Sequence, residues 1–97
     1  MAEIEHKDNI IKIITAFYPN AKIYLFGSFA RGEERASSDI DVAIDVGKRL
    51  GIHEYMFLVN LLDALPLTRK IDLVDINRVV DDAMKTNIKK DGILWKD

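Results

Sequence analysis

Ninety-seven residues with 48% apolar content are enough for one hydrophobic core, so one domain over 1–97 is expected. Fourteen basic and 16 acidic residues leave a formal charge of −2, without the long basic block of an autonomous nucleic-acid binder, which disfavours a long polynucleotide substrate. The chain has no cysteine, which excludes disulfides and thiolate zinc sites; with no signal-like N-terminus and no long apolar run, a cytoplasmic protein free of membrane is expected.

In chain order, apolar residues at positions 10, 11, 14, 17 and 18 predict an amphipathic first helix over Ile10–Tyr18, ended by Pro19-Asn20. Lys22–Phe26 is short and β-prone and reads as a buried strand running straight into Gly27. Ser28–Gly32 fits one or two helical turns, and the polar stretch Glu33–Ser38 has no apolar period and reads as a loop. A second strand is expected over about Asp39–Val46, broken by Gly47–Gly51. A middle helix over His53–Leu65 follows, with Tyr55, Leu58, Leu61, Leu62 and Leu65 on one stripe before Pro66. Arg69–Ile76 alternates as a third strand. Asn77 then reads as the N-cap of a last helix with Val79, Val80, Ala83, Met84 and Ile88 inward. The tail Gly92–Trp95 is apolar enough to dock. Helices and strands alternating in this way predict an α/β or α+β fold, a small mixed sheet with helices packed on it.

Asp39 and Asp41 carry the chemistry. On a strand, side chains two apart share a face, so these carboxylates point the same way with backbones about 7 Å apart. Asp72 interrupts the third strand in the same manner, and if that strand lies beside the second, three acids converge. Acids so gathered repel one another by roughly 4 kcal/mol per pair at 4 Å in a dielectric near 20, so the cluster calls for a cation. Oxygen-only ligands suit Mg²⁺ or Mn²⁺, whereas the isolated His6 and His53 argue against zinc. Asp75 competes with Asp72 for the third place but more simply caps or precedes the last helix. Asp45 shares the parity of Asp39 and Asp41 but is expected at a solvated strand end.

Gly27 and Ser28 supply the other half. A strand that ends in glycine and turns into a helix exposes backbone N–H groups to phosphate, and the Ser28 hydroxyl can donate to a phosphate oxygen. Each residue also has a plain structural reading, as turn glycine and N-cap. Arg31 and Ser38 are further candidates for nucleotide binding. Arg31 and Arg35 could contact phosphates or a partner, or pair on the surface with Glu33 or Glu34. Acids that hold divalent ions beside a phosphate cradle describe metal-assisted phosphoryl transfer from a nucleoside triphosphate.

Gly27-Ser28, then Asp39-Ile40-Asp41, then Asp72 in a later strand resembles the DNA polymerase β-like nucleotidyltransferase superfamily. The wording GSFARGE followed by SDIDVAI is most similar to its minimal nucleotidyltransferases, the antitoxin partners of HEPN-domain toxins. The resemblance spans essentially the whole chain and implies the polymerase β-like fold in one minimal nucleotidyltransferase domain. It further implies that Asp39 and Asp41 bind two Mg²⁺ ions, that Asp72 completes one site and helps activate the attacking hydroxyl, and that Gly27-Ser28 hold the triphosphate. The implied reaction moves AMP from ATP to a tyrosine hydroxyl of a cognate HEPN toxin. Alternatives are an antitoxin that acts by binding alone and a small-molecule nucleotidyltransferase, although nothing after Asp72 is long enough for an acceptor domain.

Overall fold

The three β-prone runs each become a strand in the computed structural model, which describes residues 6–97. β1 (Lys22–Phe26), β2 (Ile40–Asp45) and β3 (Ile71–Asp75) are joined by β4 (Ile93–Lys96) in the spatial order β3-β2-β1-β4. β1 lies antiparallel to both β2 and β4, whereas β2 and β3 are parallel. A parallel pair needs a crossover, and the middle helix α3 (Ile52–Asp63) supplies it.

The register sorts the side chains by face. Leu25, Val42 and Leu73 are neighbours across three strands, as are Ile23 with Ile44 and Ile40 with Ile71, and all of them are buried. Ile10 and Ile14 of α1 (Lys7–Phe17) and Leu58 and Leu62 of α3 pack on this face, each pair one helical turn apart. Pro19 disfavours helical geometry at Tyr18, which ends α1, and the Tyr18 hydroxyl donates to Glu54 of α3 at 2.7 Å. Phe17, expected inward, is instead 50% exposed and meets the edge of Phe57 on α3 at 5.0 Å. Leu50 is fully buried although it lies in a loop, where no periodicity could announce it.

On the other face two rows cross the sheet. Phe26, Asp41 and Asp72 form the first, and Tyr24, Ala43 and Val74 the second. α4 (Asp82–Asp91) packs through Ile88 onto a cluster that takes in the second row and Phe26 of the first, and Asp41 and Asp72 lie outside that cluster.

Two expectations about the C-terminal third are corrected. Asn77 does not cap the last helix: residues 76–78 form a separate 3-10 turn capped by Asp75, and α4 is capped by Asp81, which accepts the Ala83 N–H at 2.9 Å. Two carboxylate caps six residues apart split the run, because an ionised acceptor holds amide N–H groups at a helix start. Of the expected inward stripe only Ile88 is buried; Val79 is half-buried, Val80 is 94% exposed, and Ala83 and Met84 face outward. The tail also does more than dock. It becomes β4, because the outer edge of β1 presents unpaired N–H and C=O groups that only another backbone satisfies.

Asp75 is 2% exposed; its two oxygens accept the N–H groups of Leu50 at 2.8 Å and Asn77 at 3.0 Å. Asp75→Ala orphans both donors, one of them buried. Urea denaturation should show a loss of about 2–3 kcal/mol.

Candidate functional site

β1 ends at Phe26, and Gly27 turns the chain into the short helix α2 (Gly27–Arg31) with φ at +71°. L side chains rarely adopt that conformation, and a methyl group on Gly27 would overlap Oδ2 of Asp41 and force that carboxylate to shift. The glycine therefore brings bare backbone against a carboxylate. α2 closes at Gly32, and the half-buried Ser28 accepts the Glu33 N–H on its carbonyl at 2.9 Å.

Asp41 and Asp72 are direct partners in the parallel ladder of β2 and β3, so their backbones are about 4.8 Å apart and both side chains leave the same sheet face. Asp39 immediately precedes Ile40, the first residue of β2, and is exposed. Burial raises the Asp41 carboxyl above the ordinary carboxylate range, the charges of Asp72 and Asp39 add to it, and Arg31 partly opposes them. The three acids thus share one electrostatic neighbourhood. They stand as repelling neighbours and not as a closed cage: among the described residues no group of three or more His, Cys, Asp or Glu side chains is arranged to hold a metal ion. Their all-oxygen donor set and only partly opposed charge suit a hard divalent cation such as Mg²⁺.

The other candidates fall around this centre. Arg31 donates through Nε to Glu33 while its charge acts on Asp41, so both readings of the sequence meet in one side chain. The Ser38 hydroxyl accepts the Arg35 N–H at 2.8 Å, and its own N–H returns to the Arg35 carbonyl at 3.0 Å, which engages Ser38 in a turn. Arg69, which the sequence did not mark, fastens that turn: its guanidinium donates to the carbonyls of Arg35 at 2.7 Å and Ser38 at 2.9 Å and lies over the Phe29 ring. The loop that delivers Asp39 is tied down from β3's side of the sheet. Asp45 ends β2 as expected, but it is half-buried and not solvated. Its cost of burial is outweighed by hydrogen bonds from Gly47 N–H and the Asn77 amide, both at 2.9 Å, and by the charges of Lys89 and Lys22, which together lower its carboxyl. A cleft of about 460 Å³ opens beside Gly27, between α2 and α4, with Phe26 and Ile88 at its floor.

A mixed four-stranded sheet with acids side by side on parallel strands, next to a glycine-led helix, is the architecture of a nucleotidyltransferase. Residues 8–96 match the family model described as polymerase beta, nucleotidyltransferase, and the chain belongs to that family. Its curated relatives include two candidate protein adenylyltransferases of Methanocaldococcus jannaschii. One is 35% identical over 84% of this chain and 83% of its own length, the other 36% identical over 78% and 76%. Among solved structures, a toxin–antitoxin with AMP-PNP superposes with a TM-score of 0.77 at 28% identity, covering 93% of this chain and 73% of that one. The MntA-HpeT toxin–antitoxin, with two aspartates replaced by glutamate, superposes at 0.76 with 26% identity and the same coverage. The family resemblance carried by Gly27-Ser28, Asp39-x-Asp41 and Asp72 holds, and the chain is a nucleotidyltransferase. No helix among the described residues is long and apolar enough to cross a membrane.

Two outcomes follow for the metal-free protein. Because the folded-state carboxyl of Asp41 titrates above its unfolded value, its ionised form subtracts stability at neutral pH, and that penalty disappears once the group is protonated in both states. Asp41→Asn should therefore melt no lower than wild type at pH 7, with any gain fading as the pH falls below the carboxylate range, read by thermal denaturation across pH. Gly27→Ala should lose about 1–2 kcal/mol from the left-handed backbone alone, and more from the clash with Asp41, read by urea denaturation.

Proposed function

We propose that this protein is a Mg²⁺-dependent adenylyltransferase that moves AMP from ATP to a tyrosine hydroxyl of a HEPN-domain toxin and thereby acts as its antitoxin, residues 1–97 serving as one minimal nucleotidyltransferase domain. The observation that carries this reading is the in-register pair Asp41 and Asp72, with Asp39 beside them, set against the bare backbone of Gly27. Support comes from the relatives named as candidate protein adenylyltransferases and from the toxin–antitoxin neighbours, one with an ATP analogue.

Asp39, Asp41 and Asp72 would hold the divalent ions, which when bound supply charge neutralisation at the phosphates. Gly27 and Ser28 offer backbone and hydroxyl donors to the triphosphate tail, and Arg31 adds a positive charge close to Asp41. The acceptor oxygen attacks the α-phosphorus, the bond from that phosphorus to the bridging oxygen breaks, and pyrophosphate leaves. The hydroxyl proton passes to the carboxylate of Asp72, the exposed member of the pair. In-line displacement of this kind is catalysed mainly by positioning and charge, which a small rigid sheet margin can provide.

Because the carboxylates do not form a closed cage, a second reading stands beside the first: silencing the toxin by binding alone. Incubation with labelled ATP, Mg²⁺ and the partner toxin separates them. Label on the partner's tyrosine that drops at least about a hundredfold with Asp39→Asn or Asp41→Asn is the expected result, on the scale of losing a main electrostatic group. No transfer by the wild type, with protection retained by both variants, would leave the binding reading alone.

A further inference from the structure

We propose that the cleft between α2 and α4 is the nucleoside pocket of this enzyme and that Asn87 selects adenine in it; this rests on the nucleotidyltransferase site described above using a nucleoside triphosphate. Gly27 and Arg31 form one wall of the cleft, and Gly27 is the residue in contact with Asp41. A triphosphate held against the acids therefore reaches the mouth of this cleft. With a volume of about 460 Å³, it lies within the ~300–1,000 Å³ range usual for small-molecule sites.

Charge sets the direction of the ligand. Arg31 stands on the α2 wall with Gly27, and its charge acts on Asp41, whereas Asp81 and Asp91 stand on the α4 side and repel phosphate. The phosphates belong at the Arg31 end, and a neutral group belongs against α4. The floor there is apolar, formed by Phe26 and Ile88 with Met84 beside them, which suits the face of a flat aromatic base.

Asn87 gives that end its selectivity. It lines the cleft, is exposed, and its side-chain amide makes no hydrogen bond to any described residue, in contrast to Asn77, whose amide is spent on Asp45. A carboxamide offers one acceptor and two donors on a short arm. It matches the donor–acceptor pair at N6 and N7 of adenine, whereas guanine presents two acceptors at O6 and N7 and leaves the amide oxygen opposed by another oxygen. The pocket therefore favours ATP over GTP.

The test is calorimetric titration of the wild-type chain, Asn87→Ala and Met84→Trp with three probes in Mg²⁺: AMP-PNP, its guanosine counterpart, and inorganic tripolyphosphate. Both positions are exposed, so neither substitution enters the core. Asn87→Ala should reduce the preference for the adenosine analogue by about tenfold, the scale of one paired base contact. Met84→Trp, which fills the cleft, should weaken both nucleotides, and tripolyphosphate should bind all three proteins equally, which also reports an intact fold. If the wild type binds AMP-PNP and both variants bind it as tightly, the pocket assignment is overturned while the proposed function stands. Unchanged nucleotide affinity with loss of transfer to the partner would assign the cleft to the acceptor and overturn the proposal as well. A wild type that binds no nucleotide would remove the proposed function and the pocket together.

Discussion

Two carboxylates side by side on parallel strands oppose the fold that carries them. Asp41 and Asp72 leave the same face of neighbouring strands, and the withdrawal of Asp41 from water, with the charges of Asp72 and Asp39 added to it, raises its carboxyl above the ordinary range. Nothing in the packing of the chain needs that arrangement, since the apolar partners of the same strands already build the core from the opposite face. The strain is local and electrostatic, and it is relieved by positive charge. Arg31 supplies part of it, and a divalent ion bound to nucleotide would supply more.

The rest of the molecule can be understood as the frame around that pair. The crossover through α3 makes β2 and β3 parallel, which fixes Asp72 opposite Asp41 and not one residue off. A shift of one position would turn Asp72 toward α1 and α3, and the register resists it because Ile71 and Leu73 would then lose the core. Arg69 pins the loop before β2, Asp75 pins the loop before α3 and the turn after β3, and Gly27 leaves room for the carboxylate of Asp41. The cluster under α4 takes in Phe26 but neither Asp41 nor Asp72, so Asp72 stays exposed and Asp41 half-buried. Packing and charge here are spatially divided: one face of the sheet is apolar and packed, and the margin of the other holds the acids.

Much of this was legible along the chain. The Ile10/Ile14 and Leu58/Leu62 spacings mark helices because one turn of helix returns a side chain to the same side. The alternation in Ile40–Asp45 marks both the strand and the common face of its acids for the parallel reason, a period of two. Asp72 was preferred to Asp75 by its position in the motif, since only one of two acids three apart can share a face with Asp41, and the structure places Asp75 on the packed side, where it holds two amides. The failures occurred where no period operates. Leu50 sits in a loop, Val80 and Met84 follow a helical spacing that two competing caps interrupt, and β4 arises from an unpaired edge that its own sequence does not mention. Arg69 lies 31 positions from Ser38 in sequence and meets it only in space.

The sequence by itself determined the inward residues of the first three strands and of much of α1 and α3, three of the four strands, and which acids can share a face, since local dihedral preference and hydrophobic period are properties of adjacent residues. Tertiary structure decided the neighbours of those faces: the order β3-β2-β1-β4, the pairing of Asp41 with Asp72, the contact of Asp41 with Gly27, and the cleft between α2 and α4. These depend on how distant segments share a limited core and satisfy one another's backbone groups, and no short window of chain contains that information.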